Sequence, residues 1–570
     1  MASPSSRPAA PAEPPNVGTI DGLLGSADHK TIGRFWIAAG LIGLIGGLAV
    51  SSLVGFESID LAGFTVVDDA GQFTQLFSLG EELVLFGGLV PLLIGIGTFL
   101  VPLQVGAPAI AFARGAAGAF WTWLAGTALM VVALAVNGGP GGGRRDFVIL
   151  WALALVISLG AQVWALAVLA TTILGARTSG MTLDRVPFTT WSYLVFSLLG
   201  LVTLPVIIAD LVYAYIRVRY GLLPNDANTS LVGVVAPVAL APGVYWFGVP
   251  LLGMAADIIG VHTGRAVRAQ RALLGALGAL GFVSFAADYF AFGTVRPPQF
   301  DQALGVIAIV LAVLVILANL GLAGDSIRTG EPRFRAPLLA ALVSGLVLLL
   351  AAATAVLGVF EPVALWLHRN TSIGINLDKL LIVNGTRFND GIRAVVIGAT
   401  VTAVVAGLAN WAPKLWGRTL SAAVVVGAAL LAAGGAVVWG AGAVLAGIDD
   451  QPALPYATLA GGDSVEFGNL LAFLGTLAVL AAAVVIGLEA ARVASGSTRP
   501  AGGDPWTGLT LEWATDSPPS FGNFASAPVV RSATPLAEDG MVMAPEEEVP
   551  DEEAGELAGV SSGGSEESND

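Results

Sequence analysis

Apolar residues run in long blocks along nearly the whole chain, separated by short polar or charged segments. Twelve blocks reach membrane-crossing length: 35–55, 83–104, 115–137, 148–175, 187–217, 231–261, 271–293, 303–323, 336–360, 379–409, 419–446 and 467–492. About 20 apolar residues at about 1.5 Å rise cover a hydrocarbon core of about 30 Å. In lipid every backbone N–H and C=O needs a partner within the segment, so blocks of this length predict helices. The expectation is an all-α polytopic membrane protein with twelve transmembrane helices. Around them the pattern suggests an N-terminal tail (1–30), a membrane domain (31–495), an extended segment (496–535) and a terminal tail (536–570). Both tails have the composition of disordered chain. The first apolar run begins only at Phe35, after a Pro/Ala/Ser stretch, so no cleavable leader is expected.

The polar exceptions inside the blocks carry the chemical interest. Leu380–Ala399, LLIVNGTRFNDGIRAVVIGA, begins and ends as an apolar helix and holds Arg387, Asn389, Asp390 and Arg393 in its middle. Glu81 and Glu82 stand at the head of the second block, and Asp210, Asp257 and Asp288 lie within later ones. Charges in a span are costly and face protein or water.

Composition agrees: 55% of residues are hydrophobic, 12% are charged, and mean hydropathy is +0.80. The net charge of −15 is concentrated at one end, because no Lys or Arg follows Arg531 while twelve acids do. The cations Arg177, Arg185, Arg265, Arg268, Arg271, Arg328, Arg333, Arg335, Lys414 and Arg418 fall in alternate loops. The positive-inside rule then places both termini of a multi-pass membrane protein in the cytoplasm. The bilayer is the expected partner, and nucleic acid is not. Cysteine is absent, which excludes disulfides and thiolate metal sites. The three histidines, His29, His262 and His368, lie in separate loops. His29 reads as a surface or capping residue, His262 as a helix-end residue, and His368 as interfacial beside Trp366. Trp36, Trp121, Trp191, Trp366 and Trp416 read as an interfacial belt.

Five stretches resemble the haem-copper oxidase subunit I family, the catalytic subunit of cytochrome c oxidase. They are SADHKTIGRFW (Ser26–Trp36), GTFLVPLQVGAPAIAFAR (Gly97–Arg114), SGMTLDRVPFTTWSYLV (Ser179–Val195), GLANWAPKLWGRTL (Gly407–Leu420) and DPWTGLTLEWATDSPPSFGNFASAPVVRS (Asp504–Ser532). The resemblance implies twelve helices in that family's arrangement, haem and copper as cofactors, and other oxidase subunits or a related membrane subunit as partners. The family's chemistry uses six imidazole ligands, and three histidines cannot supply six. By resemblance, the haem-ligand positions fall on Gly80, Gly391 and Arg393, and the copper-ligand positions on Val249, Ala287 and Asp288. The proton-handling Glu falls on Leu251, the crosslinking Tyr on Gly253, the proton-path Lys near Ile316, and the propionate clamp near Asp450 and Gln451.

These departures imply no haem or copper at the usual places. The leading expectation is a non-catalytic subunit I-like protein with a structural, assembly or regulatory part in a respiratory oxidase. An active terminal oxidase and an ion or proton transporter using Asp210, Asp257, Asp288, Arg387 and Arg393 are the alternatives. Arg393 is expected to pair with Glu81 or Glu82 across the old haem position. Pairing along its own helix, Asp390 with Arg393 or with Arg387, is the competing reading. An Asp288–Arg387 pair would close the old copper pocket.

Overall fold

A computed structural model describes residues 26–59, 66–67, 69–140, 142–220, 246–292, 299–358, 386–453, 463–537 and 541–543, with the side chains of 285–292 and 299–304 outside that description. The elements are α1 (His29–Glu57), α2 (Ala70–Glu82), a π-helical segment (Leu83–Leu89), α3 (Val90–Gln104), α4 (Ala113–Ala135) and a short hairpin of β1 (Gly138–Gly139) and β2 (Gly142–Gly143). After it come α5 (Arg145–Gly175), α6 (Phe188–Tyr220), α7 (Gly248–Thr263), α8 (Gln270–Phe292), α9 (Gln299–Thr329) and α10 (Ala336–Leu357). The last helices are α11 (Phe388–Trp416), α12 (Ala422–Ile448) and α13 (Asp463–Ala494). A 3-10 turn (Leu511–Ala514) and two antiparallel strands, β3 (Pro528–Val530) and β4 (Met541–Met543), close the described chain. Among the described residues ten helices are long and apolar enough to cross a membrane. The fold is an all-α polytopic membrane protein.

Helix limits differ from the hydropathy blocks at two informative places. The second block extends backwards, because Asp69 caps α2 by accepting from the Gln72 N–H at 3.2 Å. α2, the π segment and α3 thus form one rod, with Gly80, Glu81 and Glu82 inside it. The tenth block, conversely, does not carry its charges in mid-helix. Thr386 forms an isolated bridge with Pro452, and Arg387 N–H donates to the Gln451 carbonyl at 3.0 Å. The backbone is therefore committed to a loop contact until α11 begins at Phe388. Arg387, Asp390 and Arg393 occupy its cap and first two turns, at one end of the bundle.

Small residues let the central helices touch backbone to backbone, as they do wherever lipid offers no hydrophobic drive between helices. On α1, Gly33 and Gly40 recur seven residues apart against the rod. A methyl on Gly33 would lie 2.8 Å from Phe99 Cβ, and one on Gly40 3.0 Å from Leu92 N. Trp36, expected at the interface, instead lies inside this seam at 1% exposure, its ring 4.7 Å from Trp123 and 5.4 Å from Phe120.

The residues after α13 form a strap across one end of the bundle. Ala501 N–H donates to Gly417 O (2.9 Å), Asn523 Nδ2 to Ala107 O (2.7 Å) and Val530 N–H to Ser179 O (2.9 Å). His29 lies beneath the strap at 1% exposure, with Nε2 3.4 Å from Asn523 Nδ2. It is a buried residue, not a surface one. His368 lies outside the described residues.

Candidate functional site

Two buried polar clusters sit at opposite ends of the bundle. Along α11, Arg393 and Lys414 are separated by 21 positions, about 32 Å at helical rise.

The first cluster joins the rod to α11 and α13. Arg393 Nη2 stands 2.8 Å from Glu81 Oε2 on the rod and 3.4 Å from Asp390 Oδ1 on its own helix. The inter-helix and intra-helix partners are thus shared rather than alternative. The Glu81 contact is a charge contact by distance, and the aligned N–H bond goes to Asp390 at 3.4 Å. Glu82 turns to another neighbour. Its two carboxylate oxygens accept from Trp151 Nε1 at 3.1 and 3.0 Å, with the residue 3% exposed. Arg387 meets amides: it donates to Asn469 Oδ1 and, at 3.4 Å, to Gln451 Oε1. Asn469 Nδ2 in turn donates to Ser58 O at 2.6 Å. Asp288 and Ala287 lie on α8 among side chains outside the description, so the Asp288–Arg387 pair lies outside it too.

The geometry beside the implied haem-ligand positions is tight. A Cβ on Gly80 would lie 2.7 Å from Ser51 Oγ and 3.2 Å from Ser51 N on α1. A Cβ on Gly391 would lie 2.7 Å from Gly440 O and 2.7 Å from Val444 Cγ2 on α12. Helix backbone occupies the space an imidazole would need, and glycine brings no donor atom. Val249 and Leu251 are fully buried apolar residues of α7, and a Cβ on Gly253 would meet Phe188 O at 2.8 Å. Ile316 is fully buried on α9. Gln451 spends its carbonyl on Arg387 N–H, and Asp450 adopts a left-handed φ of 64° in the turn before it. Among the described residues, no three His, Asp or Glu side chains group as metal ligands would. Among the described residues, those at these positions do not fit haem or copper.

Just beyond Glu82, the π segment hides a contact that hydropathy does not reveal. Val90 N–H donates to Leu85 O in the i to i+5 register, so the next carbonyl, Phe86 O, would look to residue 91. Residue 91 is proline and has no N–H. Phe86 O accepts instead from Trp123 Nε1 at 3.0 Å and Gln162 Nε2 at 2.9 Å. Pro91 within an apolar run was the available sequence signal.

The second cluster lies under the strap. Glu512, 0% exposed, accepts on Oε1 from Gln104 Nε2 (3.0 Å) and Trp411 Nε1 (3.3 Å). Thr190 Oγ1 donates to Gln104 Oε1 at 2.7 Å. Lys414, also 0% exposed, donates to the carbonyls of Thr515 (2.6 Å), Gly503 (3.1 Å) and Asp516 (3.3 Å). His262, at the end of α7 as expected, is buried, with Nε2 3.2 Å from Asn410 Oδ1 and its ring 5.3 Å from Trp506. Burial pushes the Glu512 carboxyl above its ordinary pKa, and the bonds from Gln104 and Trp411 oppose that shift.

Asp257 and Asp210 stand at different depths of the bundle. Asp257 accepts the backbone N–H groups of Phe188 (3.1 Å) and Thr189 (2.8 Å), so it caps α6 from the neighbouring helix. Those two N–H groups are among the four that a helix start leaves without an internal partner. Asp210 stands half-buried on α6, 21 positions or about 32 Å beyond Thr189.

Comparison with known proteins adds the family context. The sequence profile of the family "Cytochrome C and Quinol oxidase polypeptide I" matches residues 31–373. A Streptomyces avermitilis protein whose name assigns it to cytochrome c oxidase subunit 1-beta is 27% identical, over 90% of this chain and 91% of its own. Cytochrome c oxidase subunit 1 of Thermostichus vulcanus is 25% identical over 89% and 90% of the two chains. The subunit of the same name from Bacillus subtilis is 26% identical over 90% and 82%.

Proposed function

Because this chain belongs to the cytochrome c and quinol oxidase polypeptide I family, we propose that it is a subunit I-like membrane protein that has kept the scaffold and given up the redox centre. In this reading it serves the aerobic respiratory chain as a structural, assembly or regulatory partner of other oxidase subunits. Its twelve spans follow the family's order, with both termini in the cytoplasm of the prokaryotic host.

The observation that carries the reading is the packing at Gly80, where a Cβ would already lie 2.7 Å from Ser51 Oγ. Three further facts support it. The chain has three histidines against the six imidazoles the chemistry requires. Gly391 is likewise pressed on α12. Arg393 is held by Glu81, so the two charges answer each other where a ligand pair would have held a macrocycle. The separation of Asp210 from Asp257, and the use of Asp257 as a helix cap, speak against an ion path through these two acids.

The test is a haem determination on protein purified from a haem-replete host. The expected result is no stoichiometric Soret band and no haemochromogen. Stoichiometric low-spin haem together with cyanide-sensitive oxygen consumption would overturn the proposal in favour of an active oxidase.

A further inference from the structure

Near its end the strap reaches an arginine-rich surface. The loop between α7 and α8 carries Arg265 and Arg268, and α8 begins with Arg271 in its first turn. The C-terminal end of α9 and the loop after it carry Arg328 and Arg333. The two loops are fastened together by backbone bonds from Glu331 N–H to Thr263 O (3.1 Å) and from Arg333 N–H to His262 O (2.9 Å). All five arginines are exposed. Arg271 meets Asp184 at 2.8 Å and Arg328 meets Asp325 at 3.1 Å. Among the described residues, no acid stands within ion-pair distance of Arg265, Arg268 or Arg333.

The route of the strap leads onto this face. Ala533 and Thr534 line a cleft together with Ala266, Val267 and Gln270 of the basic loop. β4 pairs with β3, and Met541 packs on the group formed by Met181, Val186, Leu511 and Val530. Beyond Met543 the sequence holds Glu546, Glu547, Glu548, Asp551, Glu552, Glu553, Glu556, Glu566, Glu567 and Asp570, with no Lys or Arg.

We propose that segment 544–570 is the occupant of the arginine face, held there by charge as an intrachain contact. Two quantities favour it over an external partner. A flexible chain of this length has a root-mean-square reach of about 30 Å, and the strap that carries it touches the basic loop at Ala533 and Thr534. Tethering at that distance raises its effective concentration to about the millimolar range, which a free acidic partner would have to exceed. Its occupancy competes with the anionic headgroups of the adjoining leaflet. The inference is independent of whether the chain holds haem.

The native chain is free of cysteine, so a labelled pair can be placed cleanly. The full chain carrying Ala266→Cys and Ala554→Cys, spin-labelled and reconstituted in zwitterionic nanodiscs, would be read by pulsed dipolar spectroscopy. Between about 0.01 M and about 1 M salt the Debye length falls from about 30 Å to about 3 Å. The expected result is a short-distance population at low salt that is lost at high salt. The same loss is expected at low salt on adding Arg265→Gln, Arg268→Gln and Arg333→Gln. Nanodiscs rich in anionic lipid should displace the tail and reduce the population. A broad distribution insensitive to salt and to the triple substitution would overturn the proposal and leave the arginines to the headgroups. A short distance that survives high salt would equally overturn an electrostatic contact.

Discussion

The two buried clusters solve the same problem by different means. At one end, Arg393, Glu81 and Asp390 answer charge with charge between two membrane helices. At the other, Lys414 is answered by three backbone carbonyls of a strap that arrives about ninety residues later in the chain. The first arrangement depends on the rotation and depth of two helices that the bundle holds rigidly. The second depends on a strap outside the helices, docked across the end of the bundle. A buried ion pair is expensive to break from one side, because the remaining charge stays in low dielectric. A cation held by carbonyls loses several hydrogen bonds together when the strap lifts, and its charge then meets water.

Breaking the first cluster should have the largest effect. Glu81→Ala removes the 2.8 Å contact of Arg393 and leaves the longer one to Asp390, and should cost up to ~3–5 kcal/mol of stability in mixed-micelle unfolding. The double variant Glu81→Leu/Arg393→Met should recover part of it, since it removes that charge pair while Asp390 loses its contact with Arg393. If Asp390 at 3.4 Å alone neutralises Arg393, the single variant will fall well short of that range.

Lys414→Met comes next. Hydrogen bonds to a charged donor are worth about 1.5–3 kcal/mol, and the loss should appear mainly as protease access to the strap. The unfolding midpoint of the helices should move less than the rate of strap cleavage. Equal changes in both would show that strap and bundle are one cooperative unit.

Trp151→Phe removes the donor to both oxygens of Glu82. An unsatisfied buried acceptor costs about 1–3 kcal/mol, so this variant should lie below Glu81→Ala in the same unfolding assay. Adding Glu82→Leu should return the stability, because the pair is replaced by apolar groups.

The smallest effect is a pH dependence of strap attachment. Burial raises the Glu512 pKa above its value in the detached segment. The docked strap therefore binds the proton more tightly than the free one. This group's contribution to docking is fully present below the free carboxyl pKa and is lost as pH rises through the docked pKa. Limited proteolysis between pH 5 and pH 8 should show cleavage of the strap accelerating with pH, and Glu512→Gln should flatten the profile.

Much of the fold was legible from hydropathy, because a span needs length and apolar composition whatever its neighbours are. The limits of α2 and α11 were less so. Asp69 extends α2 by a side-chain bond, and the Gln451 carbonyl holds Arg387 out of α11; neither changes hydropathy. Glu81, Glu82 and Arg393 were identifiable as buried polar groups, but Trp151 as the partner of Glu82 was not. Trp151 is one of thirteen tryptophans, and only the rotation of α5 against the rod selects it. Asp257 read as an intramembrane acid and is a helix cap, a role that requires knowing where α6 starts in space.

By itself the sequence determined that this is a bundle of lipid-length helices, that three histidines cannot make a six-imidazole centre, and that charges would have to be answered inside it. Those conclusions follow from counts and periods within single segments. Only the tertiary structure decided which charges answer each other and how closely the helices pack at Gly80 and Gly391. A one-residue turn of a helix rotates every side chain by about 100°, so partner identity between helices is invisible to a period read along one of them. The Leu380–Ala399 stretch shows both halves. Its charges are plain in the sequence, and their place at the mouth of α11, against Glu81 and Asn469, is set by packing alone.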